Sequence, residues 1–413
     1  MKKLCILSPD AVNLPLASNC PDSIYINGIL YSTKSKCCNA AATGIRAQKF
    51  AEYLSTDFDV TLLIPDLNHP GKNNIDYSKL SYSIESYNYK KCSWEYSKEL
   101  KNILSKFDIV ILQCTGGIGF KNIVKLRPHI RVILDGYIPL LAEFPAAVSY
   151  HTDEKLKKYQ WLTLLRQYSE LLKRADLILY ANDRQKRYYE GQLFLLNKLN
   201  VDNYKNSPLL KIPYGITWHK PVTREHSDKL KLLWYGPFYP WYDFENLITN
   251  LYNHSSIKID FYGIQHPRFT RFLQKSVNLD YINTSSNMKI IGEYNSLDPR
   301  KLFEKYDACI CLSQHWLENR YSHRARIFEV MSYGMPVIIT NNSPILEESK
   351  YLDDRLIYEI VGGDFIREEL EDIKAFSNLL HIDISAEHEL LYSQYNWDSI
   401  LKPLKLTLLE EMK

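Results

Sequence analysis

One pattern limits what this chain can fold into. Short apolar runs alternate with stretches of helical spacing, and the series stops and then restarts. In the first half the runs are Lys3–Ser8, Val60–Pro65, Asp108–Gln113, Arg131–Asp135 and Leu177–Ala181. Helical spacing covers Gly44–Thr56, Glu95–Lys106, Asp153–Arg174 and Asp183–Leu199. In the second half the runs are Lys231–Tyr235, Lys258–Tyr262, Lys289–Ile291, Ala308–Leu312 and Pro336–Thr340, again with helices between. Strands separated by helices predict a parallel sheet covered on both faces. Runs such as IVILQ and LILYA are continuous rather than alternating, as strands buried on two faces must be. A polar stretch, Thr217–Lys229, carries Pro221 and little apolar content, and reads as a linker. The expected architecture is therefore α/β, with two doubly wound domains at 1–217 and 225–395 and a tail helix at 396–413. Ligands in such sheets sit at the carboxyl ends of the strands, so two of them predict a central cleft.

Composition removes other classes. The 51 Lys and Arg against 48 Asp and Glu leave +3, too weak a field to point at nucleic acid. With 45% hydrophobic and 24% charged residues the chain is neither disordered nor fibrous. None of the eight cysteines forms a C-x-x-C pair, and no zinc-finger spacing follows. Cys5, Cys114, Cys309 and Cys311 lie in apolar runs, where a free thiol acts as a small core residue, so a reducing compartment without disulfides is expected. The apolar run of MKKLCILSPD is too short for a signal peptide, and no run approaches the roughly 18 residues of a membrane span. A cytoplasmic protein is expected, with peripheral contact at the inner membrane surface left open. The 31 tyrosines suit a site for sugars or bases but do not establish one.

Three loops carry candidate chemistry. Trp316–Val337 leaves a buried strand, crosses a polar loop and enters a helix with apolar positions Ile327, Phe328, Val330 and Met331, ended by Gly334 and Pro336. With Ser322 as N-cap, His323, Arg324 and Arg326 fall in the first turn. Cations there oppose the helix dipole by about 0.3–1 kcal/mol each, which makes sense if an anion sits between them and the free backbone N–H groups. The bland reading pairs both arginines with Glu318 or Glu329. After the strand KLLWY comes Gly236 and an aromatic loop, Phe238, Tyr239, Trp241 and Tyr242, which either stacks a ligand or staples the loop to the next helix. AATGIR at 41–46, containing Gly44 and Arg46, enters a helix but matches no phosphate-loop pattern. Asp135 and Glu143 are placed at the cleft rim; His151 is a candidate for proton transfer or a structural residue. The face Tyr159, Trp161, Leu162 and Leu165 of the long helix reads as core, with a lipid surface as its other reading.

The pairing of GIRAQKFAEYL with RARIFEVMSYGMPVI resembles nucleotide-sugar glycosyltransferases of the GT-B fold, family 4 or group 1 type. LDGYIPLLAE, ADLILYANDRQKRYYEGQL, WYGPFYPWYDFENLI and HWLENRYSHRARIFEVMSYGMPV are similar to a bacterial polysaccharide-associated branch of it. The likeness implies two Rossmann-like domains, the second holding the nucleotide sugar and the first much of the acceptor site. It implies that Glu329 binds the donor ribose and that Gly236, with its loop, and Gly263 approach the donor. Gly44 would face the diphosphate, and the tail helix would cross back onto the first domain. Two positions depart from the family. Its Glu-x7-Glu pair would need a carboxylate at 321, where this chain has Tyr321, and Glu318 is the nearest substitute. The family's Arg and Lys after the first strand of the second domain are replaced by GPFYPWYD, which leaves the diphosphate to Arg324 and Arg326.

The resemblance implies sugar transfer from a nucleotide diphosphate sugar to a glycan or lipid-linked acceptor hydroxyl, with retention and in bacterial surface polysaccharide or glycoconjugate synthesis. Arg324 and Arg326 would meet the leaving diphosphate and Glu318 would orient the sugar. No Asp-x-Asp motif stands where a metal would help, so neither metal nor cofactor is expected. A nucleotide-sugar epimerase and a non-catalytic binding protein remain as alternatives, since a fold does not fix a reaction.

Overall fold

Fifteen strands build the sheets of the computed structural model, which describes residues 1–9, 12, 15, 23–26, 29–32, 42–66, 75–88, 97–113, 120–149, 153–224, 228–263, 279–292, 299–314, 316–348, 356–375 and 384–411. The chain divides into two compact units. The first contains Met1–Leu141, Lys158–Tyr214 and Trp397–Lys413, and the second Ala142–Lys157 and Gly215–Asn396.

In the first unit, strands β1 (Lys3–Leu7), β4 (Asp59–Pro65), β5 (Ser83–Tyr87), β6 (Ile109–Gln113), β7 (Arg131–Asp135), β8 (Leu177–Tyr180) and β9 (Leu209–Lys211) form a parallel sheet ordered β5-β4-β1-β6-β7-β8-β9. The short strands β2 (Ser23–Ile26) and β3 (Ile29–Ser32) pair separately as an antiparallel hairpin. The sheet is dry: Leu4, Ile6, Leu62, Ile111 and Leu134 are fully or almost fully buried. The Ala42–Leu54 helix supplies Ala47, Phe50, Ala51 and Leu54 to that core. Side-chain caps fix two helix starts. Ser97 Oγ accepts from Leu100 N at 3.2 Å and Asn182 Oδ1 from Gln185 N at 2.9 Å. The Trp397–Glu410 helix also belongs to this unit, tied down by ion pairs of Lys405 with Asp57 and of Arg131 with Glu411.

The second unit repeats the plan with β10 (Leu230–Tyr235), β11 (Ile257–Tyr262), β12 (Met288–Gly292), β13 (Ala308–Cys311), β14 (Val337–Thr340) and β15 (Ile357–Ile360), all parallel and ordered β12-β11-β10-β13-β14-β15. The chain runs outward from β10 to β12, then returns to lay β13 on the other side of β10. That reversal is a topological switch point, where loops diverge and leave a crevice at the carboxyl ends of the strands. An aromatic cluster sits beneath it. Trp234 meets Phe238 edge-on at 5.6 Å and Phe244 at 4.4 Å, and its indole N–H donates to Gly236 O at 2.9 Å.

Two readings of the sequence are corrected here. The Tyr159, Leu162 and Leu165 face of the Glu154–Arg174 helix is exposed rather than core; Leu164, Tyr168, Leu171 and Leu172 are buried instead. The helix after the polar loop of the second unit begins at Ala325, not at His323. Residues Leu317–Tyr321 form a short helix of their own and Ser322 closes it as C-cap, so Ser322 cannot start the next helix. Arg324 therefore stands at the N-cap, Arg326 in the first turn and His323 outside, stacked on Phe328 at 4.3 Å. Cys5, Cys309 and Cys311 are buried free thiols.

Candidate functional site

The switch point of the second unit gathers most of the candidate residues. Gly236 ends β10 with φ of +105°, and Gly263 follows β11 with φ of +78°. Gly236 N donates to Tyr262 O at 2.9 Å, which locks the two strand ends side by side. Both glycines occupy left-handed backbone that a side chain would strain. A Cβ on Gly236 would also stand 3.0 Å from the Arg326 guanidinium carbon, so only glycine leaves that cation room.

The loop after Gly236 divides its aromatics between two tasks. Phe238 is fully buried in the core cluster. Tyr242 is buried against β13, bridging to Ser313, and its ring lies under both arginines: Arg324 at 4.8 Å and Arg326 at 4.6 Å. The π-electrons of one ring thus attract two like charges that would otherwise repel. Burial pushes the Tyr242 hydroxyl up to about 12, so it stays neutral. Tyr239 is half-buried and stacks on Trp241 at 4.7 Å, with Arg326 5.9 Å from its ring.

The two arginines have different fates. Arg324 donates from Nη1 to Glu318 Oε1 at 2.9 Å and from Nη2 to Glu318 Oε2 at 2.7 Å, with a third bond to Ser313 Oγ at 2.8 Å. Glu318 is 2% exposed and both its oxygens face Arg324. Burial raises its pKa and the Arg324 charge works against that rise. This bidentate pair is the bland alternative realised for one arginine, with Glu318 as the partner that fixes Arg324.

Arg326 is different. Among the described residues its one hydrogen bond runs from Nη2 to Pro237 O at 3.1 Å, and Nη1 is buried without a bond to any of them. No carboxylate among the described residues lies within ion-pair distance of it. Aromatic faces of Trp234, Tyr239 and Tyr242 surround it instead. Glu329, one helical turn further, accepts from Tyr235 Oη at 3.2 Å. Burial raises its pKa, opposed by that hydrogen bond and by Arg326.

In the first unit the candidates fare otherwise. Arg46 and Asp135, expected with donor and acceptor respectively, bond each other. Nε and Nη2 of Arg46 reach the two Asp135 oxygens at 2.8 and 2.9 Å. Nη1 and Nη2 also cap the carbonyls of Pro213 and Ile212 at 2.6 and 2.8 Å. Arg46 is fully buried, between Phe50 and Tyr137. A guanidinium so enclosed has no face to offer a ligand, so the pair is a strut joining the Ala42–Leu54 helix, β7 and the segment after β9. Gly44 is buried in the first turn of that helix. Glu143 is half-buried on the Leu140–Val148 helix, in a stretch that belongs to the second unit. His151 lies outside the described residues.

Sequence reasoning missed Tyr235 and Ser313 as members of the site, and named Tyr242 only as part of the aromatic loop. Nothing local marks Ser313, because its role depends on which strand follows β10 in space.

No protein-family model matches the chain, and no curated protein matches its sequence. Solved structures do match over its length. Sucrose-phosphate synthase from Thermosynechococcus elongatus is 12% identical, with a TM-score of 0.67 over 100% of this chain and 99% of that one. HepE of Anabaena, solved with UDP and glucose, is 10% identical with a TM-score of 0.59 over 99% and 100%. The lipopolysaccharide outer core galactosyltransferase WaaB is 11% identical with a TM-score of 0.53 over 99% of both chains. At such identities the likeness is one of fold: two parallel α/β units of the GT-B type.

Proposed function

We propose that this chain is a glycosyltransferase that moves a sugar from a nucleotide diphosphate sugar to an acceptor hydroxyl. The observation that carries the reading is Arg326: a largely buried guanidinium, without a carboxylate partner among the described residues, beside a glycine at the switch point. A buried cation that no protein anion neutralises is costly unless a ligand supplies the charge. Two solved structures of the same fold, HepE with UDP-glucose and HepE with UDP, carry a ligand of that charge.

The chemistry follows from the charges. The acceptor oxygen forms a bond to the anomeric carbon and passes its proton to the departing diphosphate oxygen, while the bond from that carbon to the same oxygen breaks. Negative charge grows on the departing nucleoside diphosphate, and Arg326 is placed to receive it, with Arg324 against the same tyrosine ring. Glu329 accepts the ribose hydroxyls. Glu318 holds Arg324 in place. Arginine neutralises the diphosphate in this scheme, so a chelator leaves turnover unchanged. Retention of configuration and a role in bacterial surface polysaccharide or glycoconjugate synthesis belong to the proposal, as does a glycan or lipid-linked acceptor.

A second reading, a binding protein without turnover, is favoured by one observation: Arg324 is already neutralised by Glu318. A panel of UDP-, GDP- and dTDP-sugars separates the readings. Slow release of nucleoside diphosphate and free sugar supports a transferase, a changed sugar an epimerase, and binding without chemistry a module. No product and no binding across the panel would refute all three.

A further inference from the structure

The long helix Glu154–Arg174 presents an apolar and cationic face that the described residues do not cover, and we infer that this face docks on an anionic lipid surface. Within the first unit, Tyr159 is 69% exposed, Leu162 53% and Leu165 36%. At 3.6 residues per turn these three, with the exposed Lys158, Arg166 and Lys173, lie within about 120° of arc. Leu164, Tyr168 and Leu171, on the opposite side, are the residues that anchor the helix to the unit.

The exposed leucines therefore have no structural task, and a helix needs no second apolar stripe to stay folded. Lys198 Nζ donates to the carbonyls of Lys173 and Ala175 at 2.7 Å each. The loop around it carries Leu195 at 89% and Val201 at 86% exposure.

Charge decides the occupant. On the exposed arc Lys158 and Arg166 have no carboxylate partner among the described residues, while Lys173 pairs with Glu170 at 3.1 Å and Arg174 turns to Asp176 at 3.0 Å. A second copy meeting this face symmetrically would bring like charges together, which disfavours it. An anionic bilayer suits both features: the tyrosine and leucines enter the boundary between headgroups and acyl chains, and the lysine and arginine heads reach lipid phosphates. No described helix is long and apolar enough to cross a membrane, so the contact lies on the surface. This inference does not depend on the glycosyl-transfer reading.

Co-sedimentation with vesicles tests it, using phosphatidylcholine alone and phosphatidylcholine with about 30% phosphatidylglycerol. The wild-type chain should pellet with the anionic vesicles and much less with the neutral ones, and high salt should release it. Tyr159→Ser/Leu162→Ser/Leu165→Ser should lose most of that binding. Lys158→Glu/Arg166→Glu should weaken it by at least ~30-fold, since each cation near such a surface counts for about fivefold. Melting curves confirm that both variants fold, and the charge variant alone suffices if the triple one does not. Wild-type protein that stays in the supernatant with anionic vesicles overturns the inference. So does either folded variant binding like wild type, or a self-association in sedimentation velocity that the triple substitution abolishes.

Discussion

Glu318→Gln separates a structural from a catalytic role more cleanly than any other single change. The substitution keeps the shape and removes the charge opposite Arg324, whose side chain is 7% exposed. Removing one partner of a buried ion pair costs about 3–5 kcal/mol, because the remaining charge is left uncompensated. Here the amide oxygen still accepts one bond and Ser313 Oγ retains another, which places the cost near the lower end, about 3 kcal/mol. For a unit of this size each kcal/mol moves the melting temperature by about 2–4 °C, so a fall of ~6–12 °C is expected. The double variant Glu318→Leu/Arg324→Met removes both charges and should melt closer to wild type than Glu318→Gln does. Calorimetry gives the melting shift, and nucleoside diphosphate release measured well below the transition gives the chemistry. If Glu318→Gln melts within a degree or two of wild type yet abolishes release, Glu318 acts on the sugar, and its assignment to Arg324 is refuted.

Asp135→Asn strands the fully buried Arg46 and should destabilise the first unit by about 3–5 kcal/mol while leaving nucleotide affinity, followed by titration calorimetry below the melt, within twofold. Gly236→Ala combines a strained φ with a Cβ 3.0 Å from Arg326, so donor affinity should fall by more than tenfold; unchanged affinity would mean that Arg326 need not stay where it is. Glu329 has a raised pKa, so ribose binding, which needs the carboxylate, should be lost on acidification at a pH above the ordinary glutamate range, and Glu329→Gln should remove that limb of the kcat/KM profile. The folded state holds this proton more tightly than the unfolded one. Its contribution to stability is therefore lost as pH rises from the ordinary range through the raised pKa, and Glu329→Gln should be at least as stable as wild type at pH 7.

The interior strands were legible because burial on both faces leaves a continuous apolar run, as in IVILQ at β6 and LLWY within β10. The strands Ser83–Tyr87, Leu209–Lys211 and Ile357–Ile360 were not, and all three are sheet edges. SIESY and LLK are half-exposed and too short or mixed to announce themselves. In the site, Arg324 and Arg326 stood out because a helix start disfavours cations. Their different partners were hidden, since Glu318 turns toward Arg324 only once Leu317–Tyr321 closes into its own turn of helix. Arg46 and Asp135 are far apart in sequence and meet because β7 lies beside β6, a neighbour relation that no local pattern encodes.

The central claim is that the anion expected at the switch point lands on Arg326. Its most direct test is nucleoside diphosphate release from the preferred donor, compared between wild type, Arg326→Ala and Arg326→Lys. The account predicts a loss of about 10²–10³-fold in kcat/KM for Arg326→Ala, the scale for removing one donor to a developing negative charge, with little change in melting temperature because no carboxylate among the described residues loses its partner. Arg326→Lys should recover part of the rate through charge alone. Turnover near wild type in Arg326→Ala would contradict the account.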